Sequence, residues 1–192
     1  MKSRVLIATL LAVVVLFAAC DSAKKTAAEG AITGAQAAYA AIADQATQYV
    51  PDQAKDVQKA IQSAKDAFDK GDYSAALDAS KSLPEKIKAL GEAAKAKKDE
   101  LTAKWTDLSS SLPGMVSDTQ AKVDALTKTH KLPAGAADNL AAIKQTWTDA
   151  SGAFSSGKIQ DALAKASEAK AKLTELQTTL GMKPAEKMKP AA

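Results

Sequence analysis

Cys20 is the one thiol in a chain of 192 residues, and what precedes it gives that sulfur a chemistry. Lys2 and Arg4 open the sequence, and an apolar run extends from Val5 to Phe17. Two small residues, Ala18 and Ala19, then lead into Cys20. A charged start, an apolar core and a small-residue exit make an export signal. The run is shorter than the roughly 20 residues that a membrane-spanning helix needs. Small residues leave the backbone open to a peptidase, and a cysteine at the cut offers a sulfur that can carry diacylglycerol.

These features predict a bacterial lipoprotein signal over 1–19, with Cys20 as the lipid-attachment residue. Phe17 stands where such signals usually carry Leu, a departure that bears on cleavage efficiency. One acyl chain binds membranes marginally, whereas two or three hold a protein firmly. Asp21 follows the cysteine, and Asp at that place resembles a signal for retention at the inner membrane. The expected location is the cell envelope, lipid-anchored and facing the periplasm, with the inner membrane favoured over the outer.

Other residues with chemical potential resolve into packing or solvation. His130 is the only histidine, has no free thiol to pair with, and falls at a helix end, where an imidazolium favours the dipole. Asp66, Asp69 and Asp72 lack the glycine and terminal Glu spacing of a calcium loop and read as the solvated end of a hairpin. Met182 and Met188 fall in a Lys/Pro-rich tail and form no copper site. No serine sits in a nucleophile elbow, and the glycines form no phosphate loop. The expectation is no enzyme activity, no cofactor and no metal. Trp105 and Trp147 fall on apolar helix faces; core packing is their default role. Left partly open in a groove, the pair would anchor a partner or ligand.

Composition narrows the partners. Lys2 and Arg4 leave with the signal, so the formal charge of +4 falls to +2 in the mature chain. Arg4 is the only arginine, and nucleic-acid recognition leans on the bidentate arginine fork, so no nucleic-acid partner is expected. With Cys20 acylated no disulfide can form, and stability must come from helix packing. Alanine supplies 44 residues and aromatics 4%. Alanine has the highest helix propensity, and an alanine-rich core buries little area per residue, so long helices are expected.

Between the breakers all apolar residues recur at helical spacing, and no strand pattern occurs. The predicted plan has a tether at 20–30, then helices over 31–49, 52–70, 73–112, 115–130, 137–156 and 158–180. The third bends at Pro84, behind a Ser82-x-x-Glu85 capping box. Ser109 to Gly114 is the strongest internal breaker. The fold class is all-α: tandem three-helix units, 31–112 and 113–181, joined by a long bent helix, with a disordered tail at 182–192.

A repeat underlies the two units. Residues 54–94 align without a gap on 140–180, at an offset of 86. Ala64, Ala67, Phe68, Gly71, Ala76 and Leu77 match Ala150, Ala153, Phe154, Gly157, Ala162 and Leu163. The physical unit is a helical hairpin used twice, with Phe packing near the turn and Gly supplying the left-handed residue that closes the first helix.

Residues 67–77 resemble the turn of a tetratricopeptide repeat, although the 86-residue period is not that of an array. Over 35–95, Tyr49-Val50-Pro51, Ala60 and Gly71-Asp72-Tyr73-x-x-Ala76 resemble the short helical domain of unknown function of bacterial envelope lipoproteins. That resemblance implies an envelope location and a helical fold, and no activity. The expected function is a lipid-anchored, non-enzymatic interaction or scaffold module that engages the membrane through its N-terminal lipid. Its partner would be another envelope protein or the cell wall. The alternative is an extracytoplasmic sensor or binding protein that holds a small molecule or peptide between helices. A cavity near Trp105 or Trp147 would favour the binder; a filled core with a broad exposed apolar stripe would favour the scaffold.

Overall fold

A computed structural model describes residues 2–182, with side chains from Asp21 onward. Every regular element among the described residues is helical: α1 Lys2–Ala40, α2 Ala43–Tyr49, α3 Pro51–Asp69, α4 Tyr73–Ser80, α5 Leu83–Lys128, α6 Ala136–Ser155 and α7 Ile159–Thr179. The protein is thus all-α. Two compact units divide inside α5, between Lys97 and Lys98. None of the helices searched among the described residues is long and apolar enough to cross a membrane.

Unit 1 is built on four apolar stripes. Ala28, Ile32, Ala35 and Tyr39 recur every three or four residues along α1 and are buried. Val57, Ile61 and Ala64 do the same on α3, Ala76 lies on α4, and Leu83, Ile87, Leu90 and Ala94 start α5. All of them share one core. Pro51 opens α3, where its missing N–H is no loss. Asp72 caps α4: its Oδ1 accepts from the Ala75 N–H at 2.9 Å.

Two expectations are corrected here, and the bent helix is found. The segment 21–30 is not a tether but part of α1, because Ala28 has core to bury and is fully covered. The helix expected over 31–49 breaks at Ala41–Ile42. The long helix bends as expected, at a two-residue turn, Lys81–Ser82, that divides it into α4 and α5, and Pro84 falls in the first turn of α5.

Unit 2 carries the largest departure. Neither Pro113 nor Gly114 ends a helix, since α5 continues through both to Lys128 and absorbs the helix expected at 115–130. A proline inside a helix costs about 3 kcal/mol. Against that cost, Trp105, Leu112 and Val123 lie on one buried stripe, and burying each such side chain contributes roughly 1.5–3 kcal/mol. The stripe wins. Pro113 itself faces solvent, and the hydroxyls of Ser110 and Ser111 fold back on carbonyls of the preceding turn, of Thr106 and Asp107. The rest of the core comes from Ala136, Leu140, Ile143 and Ala150 on α6, from Ala162, Ala166, Ala169, Leu173 and Leu176 on α7, and from Leu180 just past its end. Met182 also packs against this core, so it does not belong to the tail as expected. Residues 183–192, with Met188, lie outside the described residues.

The two hairpins close with the same turn. After α3, Gly71 adopts φ +81° and its N–H bonds the Phe68 carbonyl at 2.9 Å, while Asp72 N–H reaches back to Ala67 at 3.0 Å. After α6, Gly157 adopts φ +77°, its N–H bonds Phe154 at 2.9 Å, and Lys158 N–H reaches Ala153 at 3.0 Å. Each pair of equivalent atoms is 86 residues apart. The six-to-one bond with a left-handed residue is a Schellman closure.

Candidate functional site

Trp105 comes from α5, and Trp147 and Phe154 from α6; all three belong to unit 2. The two α6 residues are seven apart, two turns or about 10.5 Å along the axis, which leaves room for one ring between them. Trp105 takes that place. Its ring lies 5.3 Å from that of Trp147 at 13° and 4.6 Å from that of Phe154 at 7°. Near-parallel rings at these centroid distances are offset stacks, each worth about 0.5–1.5 kcal/mol beyond the area they bury. Trp105 is 7% exposed, and its two neighbours are half-buried against the same core. The space between the tryptophans is therefore filled by protein, and the third ring was not paired with them from sequence.

A polar pair lies deeper in the same unit. Thr119 on α5 and Gln177 on α7 are buried among Leu, Val and Ala. Gln177 Nε2 donates to Thr119 Oγ1 at 2.9 Å, and Thr119 Oγ1 donates to the Met115 carbonyl at 2.7 Å. Gln177 Oε1 has no hydrogen-bond partner. Sequence reading passed over the pair, although its signal was there: Thr119 stands at apolar spacing between Leu112 and Val123, and Gln177 between Leu173 and Leu180.

Grooves lie elsewhere. One of about 330 Å³ runs between α6 and α7, lined by Asn139, Ile143, Lys172, Glu175, Leu176 and Thr179 among others. Another, of about 190 Å³, lies in unit 1 beside Ile32, Lys65 and Phe68. Neither reaches Trp105 or Trp147. Phe68 of the first hairpin instead packs on Tyr73, with centroids 5.2 Å apart.

Among the described residues no broad apolar stripe is exposed. Every Leu, Ile, Val, Met, Phe, Trp and Tyr among them is at least half-covered, and alanine is the commonest exposed apolar residue. Ion pairs join neighbours on the same helix. The Lys81 ammonium, hydrogen-bonded to Asp78 at 2.6 Å, holds that carboxyl below its ordinary value. Lys172 does the same to Glu168.

The remaining candidates are placed as follows. Asp21 is exposed at the start of the described side chains; Cys20 lies within α1, but its side chain is outside the described set. His130 is exposed and has φ +54°, taking the C′ position that Gly71 and Gly157 fill elsewhere: its N–H bonds Thr127, and Lys131 N–H bonds Leu126. Asp66 accepts from Gln62 at 2.7 Å and Asp72 caps α4. No cluster of His, Cys, Asp and Glu able to hold a metal occurs among the described residues. No family model, no curated protein and no solved structure matches the chain.

Proposed function

We propose that this chain is a lipid-anchored, non-enzymatic helical interaction module on the periplasmic side of a bacterial envelope membrane. The observation that carries the reading is the sole cysteine, Cys20, placed after a charged start, an apolar run and two alanines. Acylation at that sulfur fixes the protein to one leaflet, and the two helical units then offer Lys-, Asp- and Ala-covered faces to a neighbouring envelope protein or to the cell wall. The filled aromatic stack at Trp105 favours this module over a protein that holds a ligand between its tryptophans.

Fractionation tests the anchor. Wild type should sediment with membranes and take up palmitate label, and Cys20→Ser should be released or accumulate as uncut precursor. If both fractionate alike and neither is labelled, the proposal fails. Crosslinking in intact cells, followed by isolation from membranes, should then recover an envelope partner. The α6–α7 groove supports a second reading, a small-molecule or peptide binder, with Lys172 and Glu175 supplying opposite charges at its rim. A ligand that raises the melting of unit 2, and is lost on Lys172→Ala, would favour it.

A further inference from the structure

We propose that the α3–α4 turn and α4 of unit 1 rest against the lipid headgroup layer, so that unit 1 is seated on the membrane and does not hang from it on a flexible leash. The inference rests on lipid attachment at Cys20 and deepens that reading by naming the surface the anchored unit meets.

Three observations carry it. First, no slack separates the anchor from the fold. Asp21 directly follows Cys20 and is already in α1, and Ala28, eight residues from the anchor, is fully buried in the unit 1 core. Second, the turn end of the first hairpin lies beside that start. Lys25 Nζ sits 6.0 Å from the centre of the Tyr73 ring, and Phe68 and Asp69 line a groove with Glu29 and Ile32. Third, the distance is short. Lys25, whose ammonium reaches the Tyr73 ring at the start of α4, is five residues or about 7.5 Å from Cys20 along the α1 axis, and Glu29 and Ile32, which meet Phe68 and Asp69 of the turn, are about 14–18 Å from it. A tilted α1 would bring the turn nearer still. Each headgroup layer is itself several ångströms deep.

The opposite end of α1 behaves differently. Ala41, at the α1–α2 corner, is twenty-one residues from Cys20, about 31 Å along the helix. Gly91 of α5 approaches Ile42 at this end, so the corner belongs to the same unit and cannot fold back on its own.

Charge is not what seats the turn. The exposed lysines at this end, Lys24, Lys25, Lys65, Lys70 and Lys81, are matched by Asp21, Glu29, Asp66, Asp69, Asp72 and Asp78, so no net attraction to an anionic leaflet remains. The seating follows from the covalent anchor and the stiffness of α1, and it should persist at high salt, where surface charge is screened.

The test uses the full acylated chain reconstituted in vesicles of phosphatidylethanolamine and phosphatidylglycerol with a nitroxide on the headgroup. Acylation consumes the only native thiol, so each of Lys70→Cys, Ser74→Cys and Ala41→Cys offers a single site for an environment-sensitive fluorophore. All three positions are exposed. The nitroxide should quench the labels at 70 and 74 severalfold more than the label at 41, with no change when salt is raised. Equal, weak quenching at all three positions in protein that carries palmitate would overturn the seating and leave the lipid anchor standing. Stronger quenching at 41 would overturn it too, and loss of the tip signal in salt would replace the anchor by charge. Protein that never takes up palmitate would remove the lipid anchor and the seating together.

Discussion

Removing the middle ring of the Trp105 stack should be the most damaging single truncation in unit 2. Trp105 is 7% exposed and stacks on two rings, whereas Trp147 and Phe154 are half-buried and each makes one of those stacks. Truncating a buried aromatic side chain to Ala costs about 3–5 kcal/mol. Trp105→Ala belongs at the top of that range, since two stacks of about 0.5–1.5 kcal/mol each go with it. Phe154→Ala and Trp147→Ala should cost less, about 2–3 kcal/mol, because each loses one stack and less covered area. The assay is urea unfolding of the unlipidated chain from Asp21. Both tryptophans lie in unit 2 and all three tyrosines in unit 1, so tryptophan emission follows unit 2 alone while helical dichroism follows both units. Trp147 still reports when Trp105 is gone. Trp105→Ala should lower the emission midpoint most at unchanged slope, and the Trp105/Phe154 double mutant should show coupling near one stack's worth. A loss below about 1 kcal/mol for Trp105→Ala, or strict additivity in the cycle, would refute the sandwich as a source of stability.

Other perturbations follow from the same geometry. His130 holds a left-handed backbone that costs an L-residue on the order of 1 kcal/mol, so His130→Gly should raise the urea midpoint of unit 2. Gly157→Ala, at φ +77°, should lower it by a similar amount. Thr119→Val takes from the Gln177 amide its 2.9 Å acceptor, leaving only the 3.5 Å contact to the Met115 carbonyl, and should cost about 1–3 kcal/mol, whereas Thr119→Val with Gln177→Leu should recover most of the loss; melting curves of wild type and the two variants decide it. Asp78 and Glu168 have depressed carboxyl values because of Lys81 and Lys172. Their contribution is therefore present above the ordinary carboxylate range and is lost as pH falls through the depressed folded values. Both pairs are exposed, so the effect on melting is small, but Lys81→Met should move the Asp78 titration upward in carboxyl NMR.

Legibility differed from residue to residue. Helix positions could be read wherever apolar residues recur at 3.6 spacing: α3, α6 and α7 begin and end within two residues of the expected bounds. The two hairpin turns were equally plain, because a glycine at a left-handed position is a local requirement that the sequence displays. Reading failed where local signals opposed distant ones. Ser109 to Gly114 has every mark of a break, yet Leu112 within it and Val123 beyond it bury against α6 and α7, and that burial outweighs the proline. Asp21 to Gly30 looks polar and loose, yet Ala28 meets a core supplied by residues 26 to 66 positions later in the chain.

The site divides along the same line. The anchor chemistry proposed for Cys20 rests on neighbours in the chain, namely Ala18, Ala19 and the apolar run, so it is read from the sequence alone. Whether Trp105 and Trp147 frame an opening or close one depends on the height at which α5 crosses α6, and no local pattern encodes that height. The tertiary structure places Phe154 against the free face of Trp105 and fills the gap. It likewise joins Thr119 to Gln177 across 58 residues. It also brings Tyr73 beside Lys25, because packing buries whichever faces are apolar regardless of their distance along the chain.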